Sequence, residues 1–156
     1  MDITIRRATI DDVASVCALS QWLFEYERQF TDEFNINWSH AEEGKKFFIK
    51  RLKSRKSFIL LAQDGNILVG YILITLEKLS WRAFNPIAEV VNLSVAPVYR
   101  GKGIGTTLFQ QAKVLAKKRG AQRMSVSALT GNTRTLQFYQ RQGFGDFNVT
   151  MLMKLD

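Results

Sequence analysis

Asn92-Leu93-Ser94-Val95-Ala96-Pro97-Val98-Tyr99-Arg100-Gly101-Lys102-Gly103-Ile104-Gly105 decides how this chain is read. The apolar run Ile87–Val95 predicts a strand, and Ile104–Arg119 carries the apolar spacing of an amphipathic helix. Gly101 and Gly103 stand between them and Gly105 follows in the first turn of the helix, where the backbone can turn tightly and approach a ligand with no Cβ in the way. The first amides of the following helix have no intrahelical acceptor and sit at its positive end, so they suit phosphate oxygens. Arg100 and Lys102 add charge beside them. The spacing Gly101, Gly103, Gly105 is not the dinucleotide fingerprint, no acid follows about 20 residues on, and no Gly-Lys-Ser/Thr closes the loop.

Working outward, Arg123–Leu129 alternates as a strand, so strand, helix and strand from Glu89 to Leu129 predict a parallel pair with a right-handed crossover. Thr133–Gln142 predicts a short helix with Gly143 at the left-handed cap position. Phe147, Val149, Met151, Met153 and Leu155 alternate and predict a last strand. Upstream, Phe58–Ala62 and Ile67–Leu76 flank Asp64-Gly65-Asn66 as a hairpin. Ile3–Arg7 predicts a short strand, and Thr9-Ile10-Asp11-Asp12 has the form of a capping box before a helix bearing Val13, Val16, Cys17, Ser20, Leu23 and Phe24. Tyr26–His40 shows no clean period, and Ala41–Ser54 predicts a basic amphipathic helix with Phe47, Phe48 and Leu52 inward. The order is βααβββαβαβ: an α/β (α+β) single domain over 1–156, with a mixed sheet of about six strands and four helices.

Charge is distributed unevenly. The chain has 22 basic and 14 acidic residues, a net charge of +8. Between Glu89 and Asp146 there is no acid and there are nine cations, Arg100, Lys102, Lys113, Lys117, Lys118, Arg119, Arg123, Arg134 and Arg141, so the remainder sums to −1. Such a segment predicts a positive face for an anionic partner, either nucleic acid or a phosphorylated cofactor. With no helix-turn-helix, zinc or aromatic stacking motif, the expectation is no nucleic acid.

Other classes fall on residue counts. Cys17 is the only cysteine and lies on an apolar helix stripe, which excludes an intrachain disulfide and reads as a buried thiol. With His40 as the single histidine, a metal centre has almost no ligand pool and a Ser-His-Asp or Cys-His arrangement little support. No apolar run approaches the roughly 18 residues that span a bilayer, and residues 1–7 lack a signal-peptide core, so a cytoplasmic protein without a membrane partner is expected.

The stretch from Asn92 to Gly105 resembles the acetyl-CoA-binding motif of the GNAT superfamily of N-acetyltransferases, Arg/Gln-x-x-Gly-x-Gly/Ala, through Arg100, Gly103 and Gly105. Asn132, Tyr139 and Gly143-Phe144 resemble that family's closing motif, and the element order fits from residue 3 to residue 155. The resemblance implies acetyl-CoA as cosubstrate, with no metal. It implies that Leu93 and Val95 lend backbone groups to the pantetheine arm where parallel strands splay. By the same likeness, the amides of Arg100, Gly101, Lys102, Gly103, Ile104, Gly105 and Thr106 hold the pyrophosphate, and Asn132 contacts the cofactor arm. Tyr139 stands near the thioester sulfur, and Glu89 takes the place of a catalytic carboxylate. The chain after Phe144 is shorter than in many members, which bears on the acceptor-side wall.

Acetyl transfer to an amine needs a neutral nucleophile, a polarised carbonyl and a protonated leaving sulfur. An alkyl amine with a pKa of about 10 is mostly charged at neutral pH, so a proton must first leave it. Glu89 is a base if burial raises its pKa; nearby cations would depress it instead, and a rim carboxylate is the third reading. Tyr139 is a proton donor to the thiolate or a packing aromatic, and a backbone N–H near Val95 is the expected oxyanion donor. Glu25, Glu27, Asp32 and Glu33, interleaved with Tyr26, Phe30, Phe34 and Trp38, form a candidate cleft for a cationic amine or else a solvated loop, and Trp81 is a second rim candidate. The expected function is acetyl-CoA-dependent N-acetyl transfer to a primary amine, of a small molecule or a protein. A non-catalytic acyl-CoA-binding module is the alternative, and homodimerisation stays open.

Overall fold

Near-continuous apolar runs at Ser57–Asp64 and Ile67–Glu77, buried on both faces, form the hairpin on which the sheet is built, turned at Gly65 with φ +57°. The computed structural model describes residues 1–155. β1 (Ile3–Arg7), β2 (Ser57–Asp64), β3 (Ile67–Glu77), β4 (Ile87–Val95) and β5 (Arg123–Val126) lie in the order β1-β2-β3-β4-β5. The first three pairings are antiparallel and β4 pairs with β5 in parallel. The crossover between β4 and β5 is α3 (Ile104–Lys118), and α1 (Val13–Glu27), α2 (Glu42–Lys53) and α4 (Thr133–Arg141) complete the fold.

Both faces of the sheet are covered. On one side Leu60, Ile72, Ile74, Ala88 and Val90 meet Leu108, Phe109 and Ala112 of α3 and Tyr139 of α4. On the other, Ile59, Leu61, Tyr71 and Leu73 meet Val16, Cys17 and Leu19 of α1 and Phe48 of α2. Cys17 is 1 % exposed and burial raises its thiol pKa, as its place on the apolar stripe predicts.

The start of α1 is held by charge. Arg6 Nη2 lies 2.8 Å from Asp12 Oδ1, its Nη1 donates to Oδ2 at 2.9 Å, and the Thr9 amide donates to the same Oδ2 at 2.7 Å. The hydrogen bonds from Arg6 lead in lowering the Asp12 carboxyl pKa to about 2, and that from Thr9 adds to them. A carboxylate with a depressed folded pKa stabilises the fold fully above its unfolded value near 3.9, and that contribution is lost as pH falls through about 2. In acid titrations followed by circular dichroism, Asp12→Asn is expected to lower stability at neutral pH and to flatten the decline between pH 4 and 2.

Two expectations are corrected. β5 ends at Val126 rather than Leu129, because its partner β4 bends away. The sixth strand does not form: residues 144–155 have no regular structure, so alternation there found no neighbouring strand to pair with.

Candidate functional site

The site begins where β4 and β5 part. Their ladder runs from Ile87 opposite Arg123 to Val90 opposite Val126 and stops. At the same height the β3–β4 register shifts, Leu73 facing Asn92 while Ile74 faces Val90, so Val91 is an extra residue. A bulge of this kind bends its strand and raises local twist. Beyond it, Leu93 and Val95 still pair with Ile72 and Gly70 of β3 but have no strand on the other side. Ala96 donates to Val69 across that ladder, which by strand alternation turns the backbone groups of Leu93 and Val95 toward the opening.

The glycine turn caps this opening. Gly101 and Gly103 have φ of +77° and +81°, in the left-handed region that side chains avoid, and an added Cβ at either would meet nothing within 4 Å. Among the described residues, the amides of Gly101, Lys102, Gly103, Ile104, Gly105 and Thr106 have no protein acceptor in good geometry. Six adjacent donors at the positive end of a 15-residue helix form an anion cradle. Gly105 backs onto Phe138, 3.8 Å from the position of its Cβ.

Of the seven amides expected at the cradle, that of Arg100 alone is engaged among the described residues, donating to the Pro97 carbonyl at 3.2 Å. The Arg100 Nε donates to the Val95 carbonyl at 2.8 Å, and its guanidinium lies 4.9 Å from the Tyr26 ring centroid. It therefore ties the turn to α1 and occupies one of the strand carbonyls. Burial lowers its pKa, and the charge of Arg134 acts in the same direction. Arg134, in the first turn of α4, is thus near enough for its charge to act on Arg100; its place in the acid-free segment was the available signal. Lys102 stays exposed, 5.3 Å from the Tyr99 ring.

Tyr139 and Asn132 come from α4. Asn132 is 2 % exposed, and its Oδ1 accepts from the Thr135 amide at 3.2 Å, the N-cap geometry its residue type favours. The helix ends at Gly143 with φ +99°, as expected of a left-handed cap. Tyr139 is 7 % exposed, held edge-on by Phe138 and Phe144 at 5.1 and 5.5 Å. Burial pushes its phenol well above the ordinary range, and the charge of Glu27 adds to the shift. Its hydroxyl is therefore protonated at any physiological pH.

The two carboxylates differ. Glu89 sits in the part of β4 still paired with β5, opposite Ser125. Burial raises its pKa and Glu77 raises it further, while Arg51 of α2 opposes them. Of the three readings open for Glu89, a depressed pKa is the one its surroundings oppose, because burial and Glu77 outweigh Arg51 and no cation of the acid-free segment contributes. Glu27 is the last residue of α1, half-buried, and forms no ion pair or side-chain hydrogen bond among the described residues. Burial raises its pKa, and its charge bears on both Tyr139 and Tyr71, whose hydroxyl is buried without a partner.

The segment around Glu27 spans the opening. Tyr26 touches Arg100 of the β4–α3 turn, Phe30 lies 3.7 Å from where a Gly131 Cβ would be, in the β5–α4 turn, and the two rings meet edge-to-face at 5.6 Å. The other members of the acidic, aromatic stretch divide as the bland reading had it. Glu25, Asp32 and Glu33 are exposed, whereas Trp38 packs on Phe47 and Phe48 at 5.2 and 5.9 Å. Trp81, 72 % exposed, precedes β4 and so lies at the opposite end of that strand from the glycine turn. Among the described residues no three His, Cys, Asp or Glu side chains converge on a metal position, and no helix is long and apolar enough to cross a membrane.

Residues 18–144 match the model of the acetyltransferase (GNAT) family. An uncharacterised N-acetyltransferase of Methanocaldococcus jannaschii is 30 % identical over 94 % of this chain and 62 % of its own, so the chain spans less than two thirds of that relative. Spermidine N(1)-acetyltransferase of Thermoplasma acidophilum is 24 % identical over 92 % of this chain and 89 % of its own. Among solved structures, a mutant of a Bacillus halodurans protein shares the fold with a TM-score of 0.85 at 24 % identity, over 97 % of this chain and 99 % of that one.

Proposed function

This chain belongs to the GNAT family of acetyltransferases, and from that premise we propose that it transfers an acetyl group from acetyl-CoA to a cationic primary amine. The row of six unengaged amides from Gly101 to Thr106, at the mouth of the parted β4 and β5, carries the reading. A diphosphate fits those donors, with Lys102 beside them, and an extended amide-bearing arm fits the open backbone of Leu93 and the Val95 N–H, the Val95 carbonyl being taken by Arg100. Acetyl-CoA supplies, when bound, an acyl group already activated as a thioester.

The chain's own residues do the rest. Glu27 attracts the ammonium of the acceptor and takes its proton, directly or through one water, leaving a neutral amine to attack. The Val95 N–H is placed to polarise the carbonyl. As the C–N bond forms and the C–S bond breaks, Tyr139 donates its hydroxyl proton to the departing sulfur. Its raised pKa keeps that proton in place at neutral pH, so transfer must be coupled to C–S cleavage, as negative charge builds on the sulfur. Asn132 fixes the start of α4 and hence Tyr139, and Glu89 has the lesser part of a wall carboxylate below the opening. Spermidine, named for the Thermoplasma relative, is an acceptor of the proposed class.

Calorimetry with acetyl-CoA, followed by thiol release against polyamines, aminoglycosides, lysine analogues and peptides, tests the proposal. Absence of heat at millimolar ligand refutes it; binding with no thiol release on any amine leaves the acyl-CoA-binding module instead. Glu27→Gln is expected to raise the KM of a cationic acceptor about tenfold, the equivalent of about 1.4 kcal/mol, with the KM of acetyl-CoA unchanged. It should also remove the acidic limb of kcat/KM, which in the parent lies above the ordinary glutamate range because burial raises the Glu27 pKa.

A further inference from the structure

The basic segment holds more charge than the glycine turn can use. Lys117, Lys118 and Arg119 stand at the far end of α3, whose 15 residues put them about 20 Å from the cradle. That exceeds two Debye lengths at physiological salt, so these charges do little for a diphosphate held there. They meet cations from elsewhere in the chain. Lys53, Arg55 and Lys56 lie where α2 passes into β2, and Lys78 and Arg82 where β3 passes into β4. The three connections are joined: Arg119 Nη1 donates to the Arg55 carbonyl at 3.3 Å, the Leu76 amide to the Lys56 carbonyl at 2.6 Å and the Gln122 amide to the Pro86 carbonyl at 2.9 Å. Arg123, at the start of β5, completes this end of the sheet, where Glu77, and Asp146 beside Phe147, are the acids. Among the described residues none of these cations is in an ion pair.

Aromatic rings stand among the charges. Trp81 and Phe84 are 72 % and 49 % exposed. The Arg82 guanidinium lies 4.7 Å from the Trp81 ring and 4.4 Å from Phe147, and that of Arg123 lies 3.8 Å from Phe84. The loop that presents these rings is fixed by Asn85. Its Oδ1 accepts from the Leu79 amide at 2.9 Å, and its Nδ2 donates to the carbonyls of Leu79 and Arg82 at 3.0 and 2.7 Å. Exposed, fixed rings beside unpaired cations suit a chain that offers phosphates and flat bases together, the bases stacking while the phosphates take the charges. An acidic peptide would use the cations and leave the rings without a stacking partner.

We propose that this end of the molecule binds single-stranded nucleic acid, at a face separate from the catalytic opening. No local motif marks it, because its residues come from separate connections that only folding brings together.

Fluorescence anisotropy of a short labelled oligouridylate, titrated with the full chain with and without excess CoA, tests this. The expected result is binding that CoA does not displace, with tryptophan quenching. The logarithm of the binding constant should fall with the logarithm of salt at a slope of about −3, as four or five phosphate contacts require. Trp81→Ala and Phe84→Ala, both at exposed positions, are each expected to weaken binding about tenfold. Lys117→Gln, Lys118→Gln together should make the slope shallower by about 1.4. Absence of binding at low salt overturns the proposal. So does displacement by CoA, which would put the oligonucleotide in the cradle. Equal affinity for polyglutamate, or affinity unaltered in both aromatic variants, overturns it as well, since either would reduce the face to a general polyanion patch.

Discussion

Tyr139→Phe is expected to lower kcat by roughly 100-fold, the lower end of what a positioned proton donor contributes, with calorimetric affinity for CoA unchanged. The substitution removes one oxygen and keeps the ring that Phe138, Phe144 and Phe109 hold. Stability should move little, since the hydroxyl has no hydrogen bond among the described residues to lose. A structural aromatic would leave kcat within twofold, so steady-state kinetics separates the two roles. The pH profile provides a further check. Because burial pushes this phenol well above the ordinary range, the parent should show no alkaline limb from it across the working pH range, and Tyr139→Phe should be slower throughout.

Phe109→Ala is expected to cost about 3–5 kcal/mol of stability, read as a fall in the denaturant midpoint or of roughly 10–15 °C in Tm. Phe109 is 1 % exposed on α3 and meets Phe138 at 6.5 Å, Tyr139 at 6.5 Å and Phe144 at 5.7 Å. It is the point where the crossover helix supports α4. Removing the ring leaves a cavity and frees the helix that aims Tyr139, so the surviving folded enzyme should also lose kcat. Phe109→Leu fills most of that space and should cost less than half as much, with kcat largely retained. Equal losses for both variants would mean that α4 is held elsewhere.

Legibility in the sequence followed the range of the interaction responsible. The glycine turn and the end of α4 were readable because tolerance of positive φ, at Gly101 and Gly103 and again at Gly143, is a property of the residue itself. The helix start at Asn132 and the hairpin at Gly65 were readable for the same local reason. Glu89 and Glu27 could not be ranked by position alone. Glu89 was favoured by its place on the motif strand, yet the charges that reach it come from β3 and α2, while Glu27, distant in sequence, is the carboxylate whose field reaches Tyr139. Arg100 was readable as a cation beside the cradle, but the ties of its Nε to the Val95 carbonyl and of its amide to the Pro97 carbonyl depend on the fold.

Residue types and their spacing determined the order of elements, the amide cradle and the basic segment around it, since turns, caps and apolar periods act over a few neighbours. Tertiary structure alone decided where β4 leaves β5, which acid's charge reaches Tyr139, and that the alternating residues 147–155 have no strand beside them. The reason is physical: a strand needs a partner's backbone and a carboxylate's pKa needs the field around it, and both arrive through contacts between residues far apart along the chain.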